Sequence, residues 1–443
     1  MKNYKNVIIG FGKGGKTLAK SLAVHGEEVL MIEASDQMYG GTCINIGCIP
    51  SKSLIVNSER NLPFTEAVAH RGELTAKLRN KNYHMVADQP TGEVWTGTAS
   101  FLSDHELAVE LADGTYQEIR GERIFINTGS TPVLPDIPGL ALSSRIVTSK
   151  EAMELPELPK RLIIIGAGYI GLEFASMFAN YGSQVTVLDP HTEFMFKEDQ
   201  DIAEMIFQDL TRKGIEFELG ATIKHVTETS DGVQVAFEKD VEHIITGDAI
   251  LVATGRKPNT KSLHLENTGI EITERGAVKV NDKLQTTVEN VWAIGDVNGG
   301  PQFTYVSLDD YRIIKDQLLG KGERSTSDRK FVPYTVFLTP PLSRVGLSEK
   351  EIKAAGYDYK TFSFATAGVP KAQVLEDPTG LFKVMVDTKT DKILGAVIYS
   401  EESHEVINLI ALAMKADLPY QLLRDQIYTH PTMSEALNDV LSD

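Results

Sequence analysis

Two stretches of the chain repeat the same order of apolar and polar positions. Each runs from a short apolar strand through three spaced glycines and a helical apolar pattern to a second apolar strand that ends in an acid. The stretches are residues 7–33 and 161–189, and each predicts a strand–helix–strand unit. The shared positions are Gly10, Gly12, Gly15 and Glu33 in the first unit and Gly166, Gly168, Gly171 and Asp189 in the second.

The GxGxxG spacing has a physical meaning in this context. The glycines permit a tight turn and let a pyrophosphate approach the helix N-terminus, while the acid accepts a hydrogen bond from a ribose hydroxyl. A single match to three spaced glycines is weak evidence, but this chain has two matches in matching contexts. The sequence therefore predicts two dinucleotide sites.

The first loop also satisfies a competing motif. Residues 10–17 spell GxxxxGKT, in which Lys16 would contact nucleotide phosphates and Thr17 a magnesium ion. Glu33 stands where a dinucleotide fold needs it, and the second unit repeats the design without a GKT. The dinucleotide interpretation is favoured, with Lys16 and Thr17 as ordinary residues of the first helical turn.

The rest of the chain alternates between strand and helix patterns. The strands at 124–126 and 249–252 both lead into a Thr-Gly turn, which supports an internal duplication. The remaining predictions are a helix over 54–77, strands over 94–111 with a turn near Asp104, a proline-rich linker over 132–138, a strand over 291–294, strands over 384–386 and 393–398, and a helix over 404–415.

Length and charge narrow the class of protein. A chain of 443 residues predicts two to four domains, and a net charge of −17 disfavours nucleic acid and anionic membrane surfaces as partners. The longest nearly apolar stretch, 162–179, contains Glu173 and three glycines, so a membrane span is disfavoured. The opening residues lack the pattern of a signal peptide. We expect a soluble cytoplasmic protein.

The only two cysteines, Cys43 and Cys48, lie five positions apart. Two ligands do not complete a zinc site, no histidine cluster lies nearby, and a disulfide closing so short a loop stabilises little. We predict a redox-active dithiol and no metal site. Pro50 is compatible with the first turn of a helix at this point, where the helix dipole favours a thiolate.

A dithiol that attacks a substrate also needs a proton donor. A histidine held by a carboxylate suits this role near neutral pH. His430 and Glu435 form the one compact motif of that kind. We therefore predict that they are catalytic rather than part of a surface cap.

Residues 40–52 read GGTCINIGCIPSK, and this segment resembles the redox centre of the flavoprotein pyridine nucleotide-disulfide reductases. That family includes glutathione reductase, dihydrolipoamide dehydrogenase and mercuric reductase. The resemblance covers the whole chain in order: first glycine motif, dithiol, second glycine motif, Gly295-Asp296 and His430-Pro431-Thr432. It implies an α/β fold with two Rossmann-like dinucleotide-binding domains plus a C-terminal α+β dimerisation domain. The implied ranges are 1–146 (first part of the FAD domain), 147–265 (NAD(P)H domain), 266–332 (return to the FAD domain) and 333–443 (dimerisation domain).

The resemblance also implies roles for individual residues. Cys43 would be the interchange thiol that faces the substrate, and Cys48 the flavin-facing thiol of the charge-transfer complex. Lys52 would pair with Glu173 near the flavin, and Tyr169 would cover the flavin on its nicotinamide side. His430 would act on the dithiol of a second subunit, so a homodimer is expected. The other implied cofactor-binding residues are Gly41, Thr42, Thr128, Gly129, Ile170, Gly255, Arg256, Gly295 and Asp296.

Electrons would then pass from NADH to FAD, to the disulfide and finally to the substrate. A carboxylate at Asp189 favours the free 2′-hydroxyl of NADH over the phosphate of NADPH. No arginine pair follows it, although His191 and Lys197 leave NADPH possible.

The substrate is the remaining question. The absence of a third cysteine disfavours mercury handling, and no basic set for glutathione is evident. The segments 38–41, 303–314, 337–346 and 425–435 look most similar to reactive-chlorine-resistance flavoproteins that act as hypothiocyanous acid reductases. This implies a small oxidant as substrate, with Tyr305 and Ser307 near the site in unassigned roles. The alternatives are a dihydrolipoamide dehydrogenase, a Cu(II) or Hg(II) reductase, a P-loop NTPase and a flavin-bearing redox sensor.

Overall fold

The first repeat forms a parallel strand–helix–strand unit in the computed structural model, which describes residues 1–442. The elements up to residue 132 are β1 (Lys2–Ile9), α1 (Lys13–Val24), β2 (Val29–Glu33), α2 (Thr42–Asn45), α3 (Cys48–Glu59), α4 (Phe64–Ala87), β3 (Gly92–Phe101), β4 (Glu106–Leu111), β5 (Tyr116–Ile126) and β6 (Ser130–Pro132).

The single helix predicted over 54–77 is wrong, because the chain breaks there into α3 and α4. Asn61 has a left-handed backbone with φ of 57°, which ends the first helix. Pro63 then precedes α4, and its ring disfavours a helical conformation at the residue before it. The strand pair predicted on either side of Asp104 is confirmed by β3 and β4.

The second repeat is built in the same way. Its elements are β7 (Ile146–Val147), α5 (Ser149–Ala152), β8 (Arg161–Ile165), α6 (Tyr169–Asn180), β9 (Gln184–Asp189), α7 (Gln200–Arg212), β10 (Ile215–Leu219), β11 (Thr222–Thr229), β12 (Gly232–Glu238), β13 (Glu242–Gly247), β14 (Ala249–Val252) and β15 (Arg256–Pro258).

The two units share one sheet topology. The parallel strands lie in the order β3-β2-β1-β5 in the first unit and β10-β9-β8-β14-β7 in the second. Each unit also has a three-stranded antiparallel meander. In the first unit β4 pairs with β3 and β5 of the same sheet, and in the second β11-β12-β13 form a separate sheet. The duplication seen in the strand-then-Thr-Gly pattern is therefore a duplication of the fold. The carboxyl ends of β1 and β8 each lead into a glycine loop, which is where open α/β sheets bind ligands.

The edges of the second unit lie a few residues from the predicted ones. Ile146 belongs to β7 and pairs with Ile250 in the second sheet, so the division between 146 and 147 cuts this strand. Leu263 and Leu265 pack in the core of the first unit, which shows that the chain has returned to it before residue 266. The short ribbon of β6 and β15 joins the two units.

The last part of the chain completes the first sheet and then forms a third unit. Its elements are β16 (Val291–Ala293), α8 (Thr304–Leu319), β17 (Tyr334–Val336), β18 (Leu342–Gly346), α9 (Glu349–Ala354), β19 (Tyr359–Ala365), α10 (Pro370–Val374), β20 (Leu381–Asp387), β21 (Ile393–Tyr399), α11 (Ser403–Lys415), α12 (Gln421–Arg424) and α13 (Ala436–Val440).

The third unit is a five-stranded antiparallel sheet in the order β17-β18-β21-β20-β19, with α11 and α13 packed against it. Its other side shares one apolar core with α3, α4 and the second unit. Leu54, Phe178, Val336 and Tyr399 all belong to that core. The dithiol helix is thus fixed from both sides. Within the described residues, no helix has the length and apolar character needed to cross a bilayer.

Candidate active site

Both glycine loops are held by the strand that ends beside them. Gly10 has φ of 99°, and a Cβ there would collide with the carbonyl oxygen of Asn127 after β5. Gly166 has φ of 107°, and a Cβ there would lie 2.6 Å from the carbonyl oxygen of Ala253 after β14. Only glycine meets both demands, the positive φ and the close approach. The two Thr-Gly turns predicted as equivalent therefore support the two loops in the same way.

The helices that follow these loops begin at glycines. The N-caps of α1 and α6 are Gly12 and Gly168, and neither supplies a side-chain hydrogen bond to the first turn. In α1, the N–H groups of Gly14 and Gly15 donate instead to Ser307 Oγ and Asn127 Oδ1. A Cβ on Gly168 would meet no heavy atom within 4 Å. The N–H groups that remain at the two helix starts suit a pyrophosphate, so both loops fit a dinucleotide.

The two acids occupy matching positions. Glu33 Oε2 accepts a hydrogen bond from the backbone N–H of Phe11 at 2.8 Å, and Asp189 Oδ2 accepts one from Ala167 at 2.6 Å. Phe11 and Ala167 are the second residues of their glycine motifs. Burial raises the pKa of Glu33, and hydrogen bonds from the backbone N–H groups of Phe11, Ser35 and Ala34 partly offset this. Each carboxylate thus lies next to the loop where a ribose would bind.

Asp189 has a second set of contacts, which bears on the choice between NADH and NADPH. Its Oδ1 accepts the backbone N–H of His191 at 2.8 Å and lies 2.7 Å from the His191 Nδ1. The His191 ring stacks on the Phe196 ring, with 4.8 Å between centroids, and Lys197 lies over the Phe196 ring. Of the two basic residues considered for NADPH, His191 therefore lies directly beside the acid, and Lys197 lies over the Phe196 ring on which His191 stacks.

The cysteines lie in consecutive short helices. Cys43 is in α2, and Cys48 is the first residue of α3, with Pro50 in the first turn. A hydrogen bond from the Cys43 thiol lowers the pKa of Cys48 to about 6, and the same bond, with burial, raises the pKa of Cys43. The thiolate predicted at this helix start therefore belongs to Cys48.

Sequence reasoning missed one further contact of the dithiol. Thr304, the first residue of α8, places its Oγ1 3.6 Å from Cys48 Sγ and lowers the pKa of both thiols. Tyr305 follows it, and the Tyr305 hydroxyl donates to the carbonyl oxygen of Pro333 at 2.5 Å. Ser307 lies behind the first glycine loop, where its Oγ accepts the N–H of Gly14. Of the two unassigned residues, Tyr305 is thus next to the dithiol and Ser307 supports the loop.

Lys52 and Glu173 form the ion pair that the resemblance implied. Lys52 Nζ lies 2.6 Å from Glu173 Oε2, and Glu173 Oε1 accepts the N–H of Phe337 at 2.9 Å. Lys52 also lies 4.7 Å from the centroid of the Phe337 ring. The pair connects the dithiol helix to the helix of the second glycine loop.

Tyr169, the first residue of α6, is held by two residues that sequence reasoning did not identify. Its hydroxyl donates to Glu198 Oε1 at 2.6 Å, and Tyr334 donates to the same oxygen at 2.7 Å. The rings of Tyr169 and Tyr334 stack at 5.6 Å. Burial and the Glu198 charge raise the pKa of Tyr169, so it stays a neutral donor.

Most of the remaining predicted cofactor residues lie near the first glycine loop or the β6–β15 ribbon, and Ile170 and Gly171 lie at the start of α6. Asp296 accepts a hydrogen bond from the Ser130 hydroxyl at 2.7 Å. The Arg256 guanidinium donates to the hydroxyl and to the backbone carbonyl oxygen of the same serine. A Cβ on Gly41 would lie 2.7 Å from Gly12 Cα, which places the dithiol segment against the loop. The others have these positions: Gly15 and Gly171 in the first turns of α1 and α6, Thr42 at the start of α2, Thr128 and Gly129 between β5 and β6, Ile170 in α6, Gly255 before β15, and Gly295 after β16.

Lys16 is not the ordinary first-turn residue that the sequence suggested. Its side chain is buried, and Nζ donates to the carbonyl oxygen of Gly40 at 3.2 Å, toward the dithiol segment. Thr17 does behave as predicted, since its hydroxyl donates to the Lys13 carbonyl within the helix. The spacing alone carried no signal for this direction of the Lys16 side chain.

His430 and Glu435 are paired but stand apart from the dithiol of their own chain. His430 Nδ1 lies 2.8 Å from Glu435 Oε2, and Glu435 also accepts the N–H of Thr432. The His430 side chain is 68% exposed. Within residues 1–442, no hydrogen bond or ion pair joins His430 to either cysteine, and no group of three or more metal-ligating side chains is present.

The fold and the site define a dinucleotide-dependent oxidoreductase that works through a dithiol. The chain belongs to the pyridine nucleotide-disulphide oxidoreductase family, which matches residues 4–310, and the dimerisation domain of that family matches residues 332–441. It is therefore a flavoprotein reductase of the kind that uses FAD and NAD(P)H.

Two relatives and one solved structure illustrate the range of similarity. The chain is 50% identical to the probable pyridine nucleotide-disulfide oxidoreductase RclA of Escherichia coli K12, over 100% of this chain and 99% of the relative. It is 35% identical to a mercuric reductase of Staphylococcus aureus, over 98% and 81% of the two chains. Among solved structures, the Cu(II) complex of the HOCl-induced flavoprotein disulfide reductase RclA from E. coli superposes with a TM-score of 0.96 at 49% identity, covering 99% of both chains.

Proposed function

We propose that this protein passes electrons from NADH through FAD and the Cys43–Cys48 pair to hypothiocyanous acid. One observation carries the proposal: Cys43 and Cys48 lie together where α3 starts, and Cys43 and Thr304 both lower the pKa of Cys48, which favours a thiolate there. A paired thiol and thiolate are the reduced half of a disulfide cycle.

The residues around the two loops fit the two cofactors. The glycine loop at the start of α1, with Glu33 and Asp296, would hold FAD, and the glycine loop at the start of α6, with Asp189, would hold NADH. FAD, when bound, accepts a hydride from the nicotinamide and delivers two electrons to the disulfide. Tyr169, held by Glu198, would cover the nicotinamide side, and the Lys52–Glu173 pair would lie beside the flavin.

The steps at the dithiol balance without a further reactant. The Cys43 thiol gives up its proton as its sulfur attacks the sulfur of hypothiocyanous acid, and the hydroxide that leaves takes up that proton to become water. The Cys48 thiolate then attacks the Cys43 sulfur, which forms the disulfide and releases thiocyanate. The electrophile is small, and two thiols are sufficient for both steps.

Proton transfer in these steps would involve a second subunit. His430 is oriented by Glu435 and is exposed rather than turned toward its own dithiol. Two large apolar side chains of the same domain are also exposed, Ile427 at 92% and Leu412 at 65%. Because the dimerisation domain is present, we propose a homodimer in which the partner subunit's His430 serves each dithiol.

The choice of substrate draws on the relatives. A solved structure 49% identical to this chain is that of an HOCl-induced flavoprotein disulfide reductase, which favours an oxidant-defence role. We propose that this role is exercised in the cytoplasm. The absence of a third cysteine favours an electrophile that needs only a dithiol.

The experiment is steady-state NADH oxidation by the purified holoenzyme, with hypothiocyanous acid, lipoamide, oxidised glutathione and Cu(II) supplied in parallel. We expect the highest kcat/KM with hypothiocyanous acid. A preference for lipoamide would instead assign the protein to central metabolism and contradict the proposal.

Cu(II) reduction is the second candidate, because one similar structure is a Cu(II) complex. Reduced thiols are soft ligands that suit Cu(I), so a reduced dithiol is chemically suited to copper reduction. Multiple turnover on Cu(II) that exceeds turnover on hypothiocyanous acid would favour it.

A further inference from the structure

A basic cleft of about 790 Å³ opens beside Cys43, between α1 and α4. Four lysines line it, and no ion pair joins any of them to a carboxylate within residues 1–442. The one acid in the lining, Asp88, is paired with His84 at 2.9 Å. The lysines are Lys13, Lys16 and Lys20 on α1 and Lys81 on α4. A chain with a net charge of −17 thus concentrates unpaired positive charge around its substrate-facing thiol.

Lys16 is the innermost of the four. Its residue is only 3% exposed, and the carbonyl oxygen of Gly40, 3.2 Å away, is one acceptor for the three N–H donors of Nζ. Burial and the neighbouring Lys13 lower the pKa of Lys16 to about 8, while Cys43 acts in the opposite direction. A buried ammonium without a carboxylate partner is stabilised by any anion that reaches it.

We propose that this cleft is an anion-binding subsite in which Lys16 holds the small anions of the reaction beside Cys43. The ligand class is a monovalent pseudohalide: thiocyanate, the leaving group, and hypothiocyanite, the conjugate base of the electrophile, which takes up a proton before Cys43 attacks so that hydroxide is the group that leaves. The inference rests on the proposed function and names the form of the substrate that the site receives.

The location separates this subsite from the dinucleotide sites. A P-loop lysine would serve phosphates at the helix start, whereas Lys16 reaches Gly40, three residues before Cys43. The cleft lining contains Cys43, which carries one of the reacting sulfur atoms, and Thr304, which contacts the other on Cys48. An anion here would therefore lie where negative charge enters and leaves during the attack.

The first test compares two alkylating agents on the reduced holoenzyme. Iodoacetate is an anion and iodoacetamide is neutral, so the ratio of their rates at Cys43, assigned by peptide mapping, measures the local positive potential. Lys16→Met should lower this ratio roughly fivefold, and Lys81→Met should lower it less, because Lys81 is exposed. An unchanged ratio in Lys16→Met would overturn the proposal.

Two further variants serve as controls. Lys160→Met removes the same charge from an exposed site just before β8, at the opposite end of the second sheet from its glycine loop, and should leave the ratio unchanged. Lys16→Arg keeps the positive charge and should keep most of the ratio even if Lys16→Met folds poorly. Loss of the ratio in Lys160→Met would show that the effect is not local.

The second test uses thiocyanate itself as the probe. Its protection of Cys43 against iodoacetamide should weaken as the pH rises through about 8, because Lys16 loses its proton there. Lys13, Lys20, Lys81, His84 and Cys43 face the same cleft, so the Lys16→Met variant supplies the baseline. Weak protection that follows pH identically in the wild type and this variant would exclude Lys16 as the binding group.

These tests separate the subsite from the proposed function, since alkylation needs no turnover. A Lys16-dependent ratio in a protein that does not reduce hypothiocyanous acid would leave the anion subsite in place and remove the proposed substrate. Rapid reduction of hypothiocyanous acid with a ratio independent of Lys16 would do the reverse.

Discussion

The Nζ atom of Lys52 lies 2.6 Å from Oε2 of Glu173, which joins the dithiol helix α3 to the helix α6 of the second glycine loop. The two charges act on Cys48 in opposite directions. Lys52 lowers the pKa of this thiol, and Glu173 raises it. The pair therefore connects the nicotinamide side of the site to the state of the dithiol.

Substitutions of Lys52 and of Glu173 should shift the pKa of Cys48 in opposite directions. Lys52→Met should raise the pKa of Cys48 from about 6, and Glu173→Gln should lower it, each by roughly half a unit to one unit. Thiolate absorbance of the reduced holoenzyme during a pH titration measures both. Shifts of the same sign in the two variants would contradict the electrostatic account.

Glu198 should control the position of Tyr169. Glu198→Gln weakens the acceptor shared by Tyr169 and Tyr334, so we expect the KM for NADH to change about three- to tenfold with a smaller change in kcat. Tyr334→Phe keeps the ring stack and the Tyr169 bond and is the matched control, with a change below about twofold. Equal effects of the two variants would assign Glu198 a purely structural role.

Asp189 should determine the preference between the two nicotinamides. Removing its charge in Asp189→Ser takes away the repulsion of a 2′-phosphate, and His191 remains beside the position. The ratio of kcat/KM for NADH to that for NADPH should fall by about tenfold or more. A ratio unaffected by this change would place the discrimination elsewhere.

Mixed dimers test whether the sites are shared between subunits. Cys43→Ser and His430→Ala homodimers should each lose most activity. A heterodimer of the two variants regains one intact site, so equal mixing after subunit exchange should restore about a quarter of wild-type turnover. If each dithiol used the His430 of its own chain, the mixture would stay as inactive as its parents.

Much of this fold is accessible from sequence because both repeats obey a strong local rule. Glycines at positive φ and an acid at the end of the second strand are required by backbone geometry, so the spacing alone identifies Gly10 and Gly166 as loop residues. The break between α3 and α4 escapes the sequence pattern because the apolar periodicity continues across Asn61 and Pro63. There, two local backbone effects prevail over periodicity.

The contacts that could not be predicted are long-range. Tyr334 meets Tyr169 only after the third unit packs against the second, and Glu198 reaches Tyr169 from the loop before α7; no spacing pattern relates these residues. Lys16 has the sequence context of an ordinary helix residue. Its role could not be predicted because the sequence does not show which way a buried side chain points. Its contact with Gly40 depends on the path of the loop before α2.

The most direct test of the electron path is a stopped-flow comparison of the wild-type and Cys43→Ser holoenzymes. Each is mixed with NADH in the presence of hypothiocyanous acid, and flavin absorbance and acceptor loss are followed together. We predict that NADH reduces the flavin in both proteins, while only the wild type reoxidises it rapidly and consumes the acceptor. Rapid, repeated consumption of hypothiocyanous acid by Cys43→Ser would contradict a route through the dithiol.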